Sequence, residues 1–197
     1  MSVRSSLLAI LTMGPAYGFQ LHGELGARTA GRRTINVGQI YGTLERLVAQ
    51  GAVESAGSTP DGLPLYRLTE AGRSEAMNWL HDTSSAAGDD WNEMLERVLI
   101  ASSLPHVDAS GIVGAYRAAW SARQSGAAEQ TGGGQTSLSA AADTAQIRAA
   151  LDWLDEVRIM LAGPTGPLAT TGAPTFHREL SLERPKRGRR PTLSPAS

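Results

Sequence analysis

A chain of 197 residues, 41% of them hydrophobic, holds enough apolar material for one large core or two small ones. It has no cysteine, which excludes a disulfide framework and thiolate metal sites. The net charge of −1 conceals a division: residues 1–80 carry seven Arg against six acids, residues 81–163 five Arg against eleven, and residues 164–197 six Lys or Arg against two. An acidic middle between more basic ends implies separate jobs along the chain.

The first segment reads as three short helices. Val3, Leu7, Leu8, Ile10 and Leu11 recur at three- and four-residue spacing until Gly14-Pro15 stops them. That run is too short for a secretory signal core, and no stretch approaches the ~20 apolar residues of a membrane span. A soluble, cytoplasmic protein is expected. Tyr17, Leu21 and Leu25 form a second stripe, ending in the loop Arg28–Arg33. Val37, Ile40, Tyr41, Leu44, Leu47 and Val48 form the third and clearest, with Asn36 as N-cap and Gly51 as stop. Ala52–Ser55 and Leu65–Leu68 then flank the turn sequence Thr59-Pro60-Asp61-Gly62, which predicts a two-stranded hairpin. Thr69 caps a fourth helix running to about Leu80.

Beyond residue 88 the pattern is helical. Trp91, Leu95, Val98 and Leu99 form one stripe, Ile112, Tyr116, Ala119 and Trp120 another, and Ile147 to Leu161 a third. Ser125–Ala142, with Gly132-Gly133-Gly134 at its centre, reads as a long flexible loop. From Gly163 the composition turns to Pro, Gly and Thr and ends in the basic run Arg184 to Arg190, which predicts a disordered tail. The expected division is therefore 1–80, 88–162 and 163–197.

The third helix carries the functional argument. Opposite its apolar side stand Gln39, Gly42, Thr43, Arg46 and Gln50. The major groove, about 12 Å wide, admits such a helix, and side chains on its outer face reach base edges. Arg46 suits guanine or phosphate and Gln39 suits adenine. A mid-helix glycine costs about 1 kcal/mol against alanine, and Gly42 repays that where another backbone comes close. Periodicity alone fits an ordinary solvated face equally well.

Several linked motifs resemble the PadR family of transcriptional regulators. Leu8-Ala9-Ile10-Leu11 with Gly14-Pro15-Ala16-Tyr17-Gly18-Phe19-Gln20-Leu21 is similar to its first two helices. Gly38-Gln39-Ile40-Tyr41-Gly42-Thr43-Leu44-Glu45-Arg46-Leu47 resembles its recognition helix. Gly51-Ala52-Val53-Glu54 and Tyr66-Arg67-Leu68-Thr69-Glu70-Ala71-Gly72 resemble the wing and the helix after it. The resemblance implies a mainly α fold: a winged helix-turn-helix with a two-stranded β wing plus a C-terminal helical dimerisation region. It implies a homodimer on a two-fold operator in double-stranded DNA, more often a repressor, released by a small aromatic or hydrophobic effector. Asn36, Gln39, Tyr41, Gly42, Thr43, Arg46 and Arg67 are the candidate DNA contacts, the Tyr41 hydroxyl reaching a phosphate. One departure stands out. The family's wing usually carries several basic residues before its Tyr, whereas Arg67 alone is basic here, so Arg32, Arg33 or the tail must compensate.

Trp91, Trp120 and Trp153 lie on three expected helices and could meet as an aromatic effector pocket; core and interface anchoring is the commoner use of such residues. The tail could serve as a sequence-independent DNA arm. Enzymatic readings find no support: His22, His81, His106 and His177 lack metal spacing, and phosphate loops and nucleophile elbows are missing. No cofactor or metal is expected. The rival readings are a winged-helix protein-interaction module without direct DNA contact, and a ligand-binding protein or enzyme on the helical half.

Overall fold

The computed structural model describes residues 3–83, 91–127, 134–163 and 176–181. Helix α1 (Val3–Leu11) buries Leu7, Leu8, Ile10 and Leu11 and ends before Gly14, whose φ of +140° suits glycine. Strand β1 (Ala16–Tyr17) leads directly into α2 (Gly18–Arg28). Helix α3 (Val37–Ala49) starts where the Asn36 side chain accepts from the Gln39 amide at 2.8 Å. It ends where Gly51, at φ +72°, turns the chain out.

Strands β2 (Val53–Ser58) and β3 (Pro64–Leu68) form the hairpin, closed by the Gly62 amide donating to the Thr59 carbonyl at 2.8 Å. The expected wing has two strands; the sheet has three, in the antiparallel order β1-β3-β2. Ala16 pairs with Tyr66 and Tyr17 with Leu65, which ties the wing to the root of α2. A strand of two residues has no periodicity, so only this long-range pairing defines it.

Helix α4 (Glu70–His81) begins with the Thr69 hydroxyl accepting from the Gly72 amide at 3.1 Å. Gly72 is required there, because a Cβ would lie 1.9 Å from the Ala52 carbonyl oxygen. Then come α5 (Trp91–Ser103), α6 (Ala109–Ala127) and α7 (Gln135–Ala162). The long α6–α7 pair is closed by Ile147, Ala150, Leu154 and Val157 of α7.

Two expectations need correction. Ser125–Ala142 is not a single loop: α6 continues to Ala127 and α7 starts at Gln135, while residues 128–133 lie outside the described ones. Ala140-Ala141-Ala142 favour helix more than the segment's small-residue composition suggests. Nor is everything past Gly163 tail, since Phe176–Ser181 lies against α2 and the end of α5; 164–175 and 182–197 are outside the described residues.

The core is continuous across the expected boundary near residue 85. Met94, Val98, Ile100 and Ala101 of α5 join the cluster that holds Leu7, Leu21, Leu44 and Leu80. A polar joint supports it: buried Glu96 accepts from the Ser6 hydroxyl at 2.6 Å and from Arg33 at 3.0 Å. Val48, which the apolar pattern of α3 assigned inward, is 43% exposed.

Candidate nucleic-acid interface

The outward side of α3 borders an open concavity of about 640 Å³, lined by Val3, Arg4, Gln39, Gly42, Thr43, Arg46 and Gln50. Asn36, Gln39 and Arg46 are exposed, and Asn36 is engaged as the cap of the helix. A Cβ at Gly42 would meet nothing within 4 Å, so the fold itself does not demand glycine there. The space over that turn is left open to another molecule.

Thr43 differs from expectation. It is only 5% exposed; its hydroxyl donates to the Gln39 carbonyl at 2.7 Å and accepts from Arg46 Nη2 at 3.1 Å. Back-bonding to the preceding turn satisfies the hydroxyl and lets threonine act as a half-apolar residue. Thr43 therefore orients Arg46 and does not itself reach outward.

Tyr41 is half-buried, its ring laid on the backbone of α2: a Cβ at Gly18 would come within 2.6 Å of Cε1. Tyr66 of the wing stands near Tyr41 and Glu45; burial first, then these neighbours, raises its pKa and keeps it neutral. Arg67 points to solvent, but its Nε donates to Glu54 at 2.7 Å across the hairpin, so the wing's one cation is locally neutralised. Of the two residues expected to compensate, Arg33 is committed to Glu96, and Arg32 remains exposed.

Arg4 is the residue that sequence reasoning missed. It stands at the rim beside Arg46, held by Glu75 at 2.6 Å and by the Gln50 side chain. Nothing local marks it, because its role depends on α1 and α4 meeting the end of α3.

The three tryptophans do not share one environment. Trp91 and Trp153 meet edge to face with centroids 5.4 Å apart. Trp120 is fully buried, its indole N–H donating to the Met94 sulfur at 3.1 Å. Neither the α3 concavity nor two smaller clefts, one at Thr29, Arg32 and Asn92 and one at Val107 and His177, are lined by tryptophan. Among the described residues no group of three or more His, Cys, Asp or Glu is placed to hold a metal, and no helix is long and apolar enough to cross a membrane.

A three-helix core with an antiparallel wing and an open-faced third helix defines a winged helix-turn-helix. Residues 7–78 match the Transcriptional regulator PadR-like family. Over that segment the chain is similar to the domains of PadR-like transcriptional regulators. Solved structures of Bacillus subtilis PadR are similar in architecture. Its complex with operator DNA is 16% identical, with 80% of this chain and 98% of that chain covered and a TM-score of 0.40. Its complex with p-coumaric acid is 18% identical, with 81% and 98% covered and a TM-score of 0.38. Bacillus subtilis PadR in a further crystal structure is 17% identical, with 81% and 94% covered and a TM-score of 0.37. No curated protein matches the chain by sequence.

Proposed function

We propose that the chain is a homodimeric transcriptional repressor that reads a two-fold operator with α3 and leaves it when a small aromatic or hydrophobic effector binds. The observation that carries the reading is the unfilled concavity over Gly42, framed by Gln39, Arg46 and Arg4. In the major groove Gln39 would pair with adenine N6 and N7, and Arg46, steadied by Thr43, with guanine O6 and N7. The start of α3 at Asn36 offers backbone amides to a phosphate, and Tyr41 adds its hydroxyl. Arg67 would exchange Glu54 for a phosphate oxygen.

Dimerisation is assigned to the helical half, residues 88–162, because α7 leaves Leu138, Ile159 and Met160 exposed. The effector role falls to Trp91 and Trp153, which meet edge to face, while Trp120 is buried in the core. The Arg67–Glu54 pair favours one rival, a winged-helix protein-interaction module without DNA contact.

The test is a titration of the chain with DNA from upstream of its own gene, in wild type and Arg46→Ala. Saturable binding that falls steeply with salt, and weakens by ~1–3 kcal/mol in the variant, is expected. Wild type that binds operator and random duplex alike, or neither, would replace this reading with the protein-interaction one.

A further inference from the structure

The glycines of the winged domain are required for different reasons. Gly14, Gly31 and Gly51 have positive φ, and Gly72 faces a backbone oxygen. Gly18 belongs to neither group. It is buried as the first residue of α2, its φ is not positive, and the three atoms nearest to a Cβ there all belong to the Tyr41 ring. They are Cε1 at 2.6 Å, Cζ at 2.7 Å and Cδ1 at 3.1 Å. The closest approach is therefore at the end of the ring that carries the hydroxyl. A methyl group at position 18 would force that end to retreat by most of an ångström before it reached ordinary van der Waals contact. The obstacle is the tip of a side chain, so the ring can give way while the backbone stays.

Tyr41 is held from a second side. Tyr66 of β3 pairs with Ala16, two residues before Gly18, and its phenol lies within electrostatic reach of Tyr41. The root of α2, the face of α3 and the wing thus converge on one ring, whose hydroxyl makes no hydrogen bond among the described residues. The first helix of a helix-turn-helix crosses the DNA backbone while the second lies in the groove. A hydroxyl at their junction is placed to donate to a phosphate oxygen.

We propose that Gly18 is a positioning residue for DNA binding: the absence of a side chain there sets the Tyr41 hydroxyl where it donates to a phosphate oxygen of the bound strand. The proposal rests on α3 being the DNA-reading helix and on Tyr41 meeting phosphate. An O–H···O hydrogen bond spans about 2.5–3.0 Å, so a shift of most of an ångström removes it.

The full-length chain and duplex from upstream of its own gene test this with Tyr41→Phe, Gly18→Ala and the two together. Tyr41→Phe should weaken operator binding on the order of tenfold, through loss of one hydrogen bond to a charged oxygen. Gly18→Ala should do the same, and the double variant no more than either alone, because both remove one contact. The salt slope should keep its wild-type value in all three, since a phenol displaces no counterion. Stability is read separately: adding Gly18→Ala to Tyr41→Ala, which empties the space, should not lower the urea midpoint. Multiplied losses in the Gly18→Ala/Tyr41→Phe chain overturn the role of Gly18, as does Gly18→Ala that binds like wild type while Tyr41→Phe does not. A lowered midpoint in Gly18→Ala/Tyr41→Ala means that the backbone itself requires glycine and overturns it too. Tyr41→Phe that binds normally sinks the phosphate contact and Gly18 with it, while weakened binding by Arg46→Ala leaves the reading of α3 standing. A wild-type chain that binds no duplex sinks both.

Discussion

Arg4 and Glu75, seventy-one positions apart, meet through two contacts of 2.6 Å, and the same guanidinium reaches Gln50 at the end of α3. The carboxylate, above all by hydrogen bonding, raises the Arg4 pKa further, and while Glu75 holds the guanidinium this edge of the concavity carries little net charge. The pair is about one-third exposed, so Arg4→Ala should cost at most about 1 kcal/mol of stability. Its effect on DNA should be larger. Arg4→Ala should lower operator affinity and reduce the salt slope by about one, while Glu75→Gln, which releases the cation, should raise affinity. Equal losses from both substitutions would make the pair a structural tie only.

Two glycines separate folding from recognition. At Gly72 a Cβ would lie 1.9 Å from a backbone oxygen, so Gly72→Ala must move α4 away from β2 and should destabilise by about 3 kcal/mol or more. At Gly42 a Cβ meets nothing within 4 Å, so Gly42→Ala should stabilise by about 1 kcal/mol through helix propensity. If DNA approaches that turn closely, the same variant binds operator at least tenfold more weakly. Urea unfolding and a DNA titration on each variant give both readings. Gly42→Ala that is stabilised and binds normally would place DNA elsewhere.

Which of these features the sequence betrayed follows from their range. The stripe of α3, its cap at Asn36 and the turn at Gly51 are local, and each was legible. Thr43 misled because its hydroxyl is satisfied within its own helix, something a polar-versus-apolar pattern does not encode. Val48 misled in the opposite sense: periodicity places it inward, but it lies at the edge of the stripe and is 43% exposed while Leu47 beside it is fully buried. The strand Ala16–Tyr17 and the rim residue Arg4 depend on partners fifty and seventy-one positions away. The docked segment Phe176–Ser181 escaped because its contacts to α2 and α5 are made mostly by its backbone amides and carbonyls, which side-chain composition does not encode.

Tyr116 is 1% exposed on α6 and lies beside Arg97, whose guanidinium carbon is 5.8 Å from the ring centre. Burial raises its pKa, outweighing the opposing pull of Arg97. The folded state then holds the phenol proton more tightly than the unfolded state, for which the ordinary value is about 10. This stability is complete below pH ~10 and is lost as pH rises through the folded pKa. Urea midpoints measured from pH 8 to 11 should therefore fall more steeply for wild type than for Tyr116→Phe. Parallel curves would mean that the hydroxyl titrates as it does in water.

The last prediction concerns α7. Ile147, Ala150, Leu154 and Val157 are spent on α6, yet Ile159 is 67% and Met160 47% exposed two and three residues further on. Adjacent large apolar side chains at a helix end lose the hydrophobic stabilisation that burial would give, about 1.5–3 kcal/mol each when complete. A second copy of the chain covering them recovers that term. The double variant Ile159→Glu/Met160→Glu places charge at the same positions without touching the α6 contact. It should sediment as a monomer at concentrations where wild type is a dimer, with unchanged helix content and a Tm within a few degrees of the wild-type monomer's. Because two half-sites are then no longer read by one particle, operator affinity should fall by two or more orders of magnitude, in line with the loss of bivalency. Binding to a single half-site should change little. A double variant that remains dimeric places the interface outside this end of α7, and one that is monomeric but holds the full operator as tightly as wild type removes the two-fold reading.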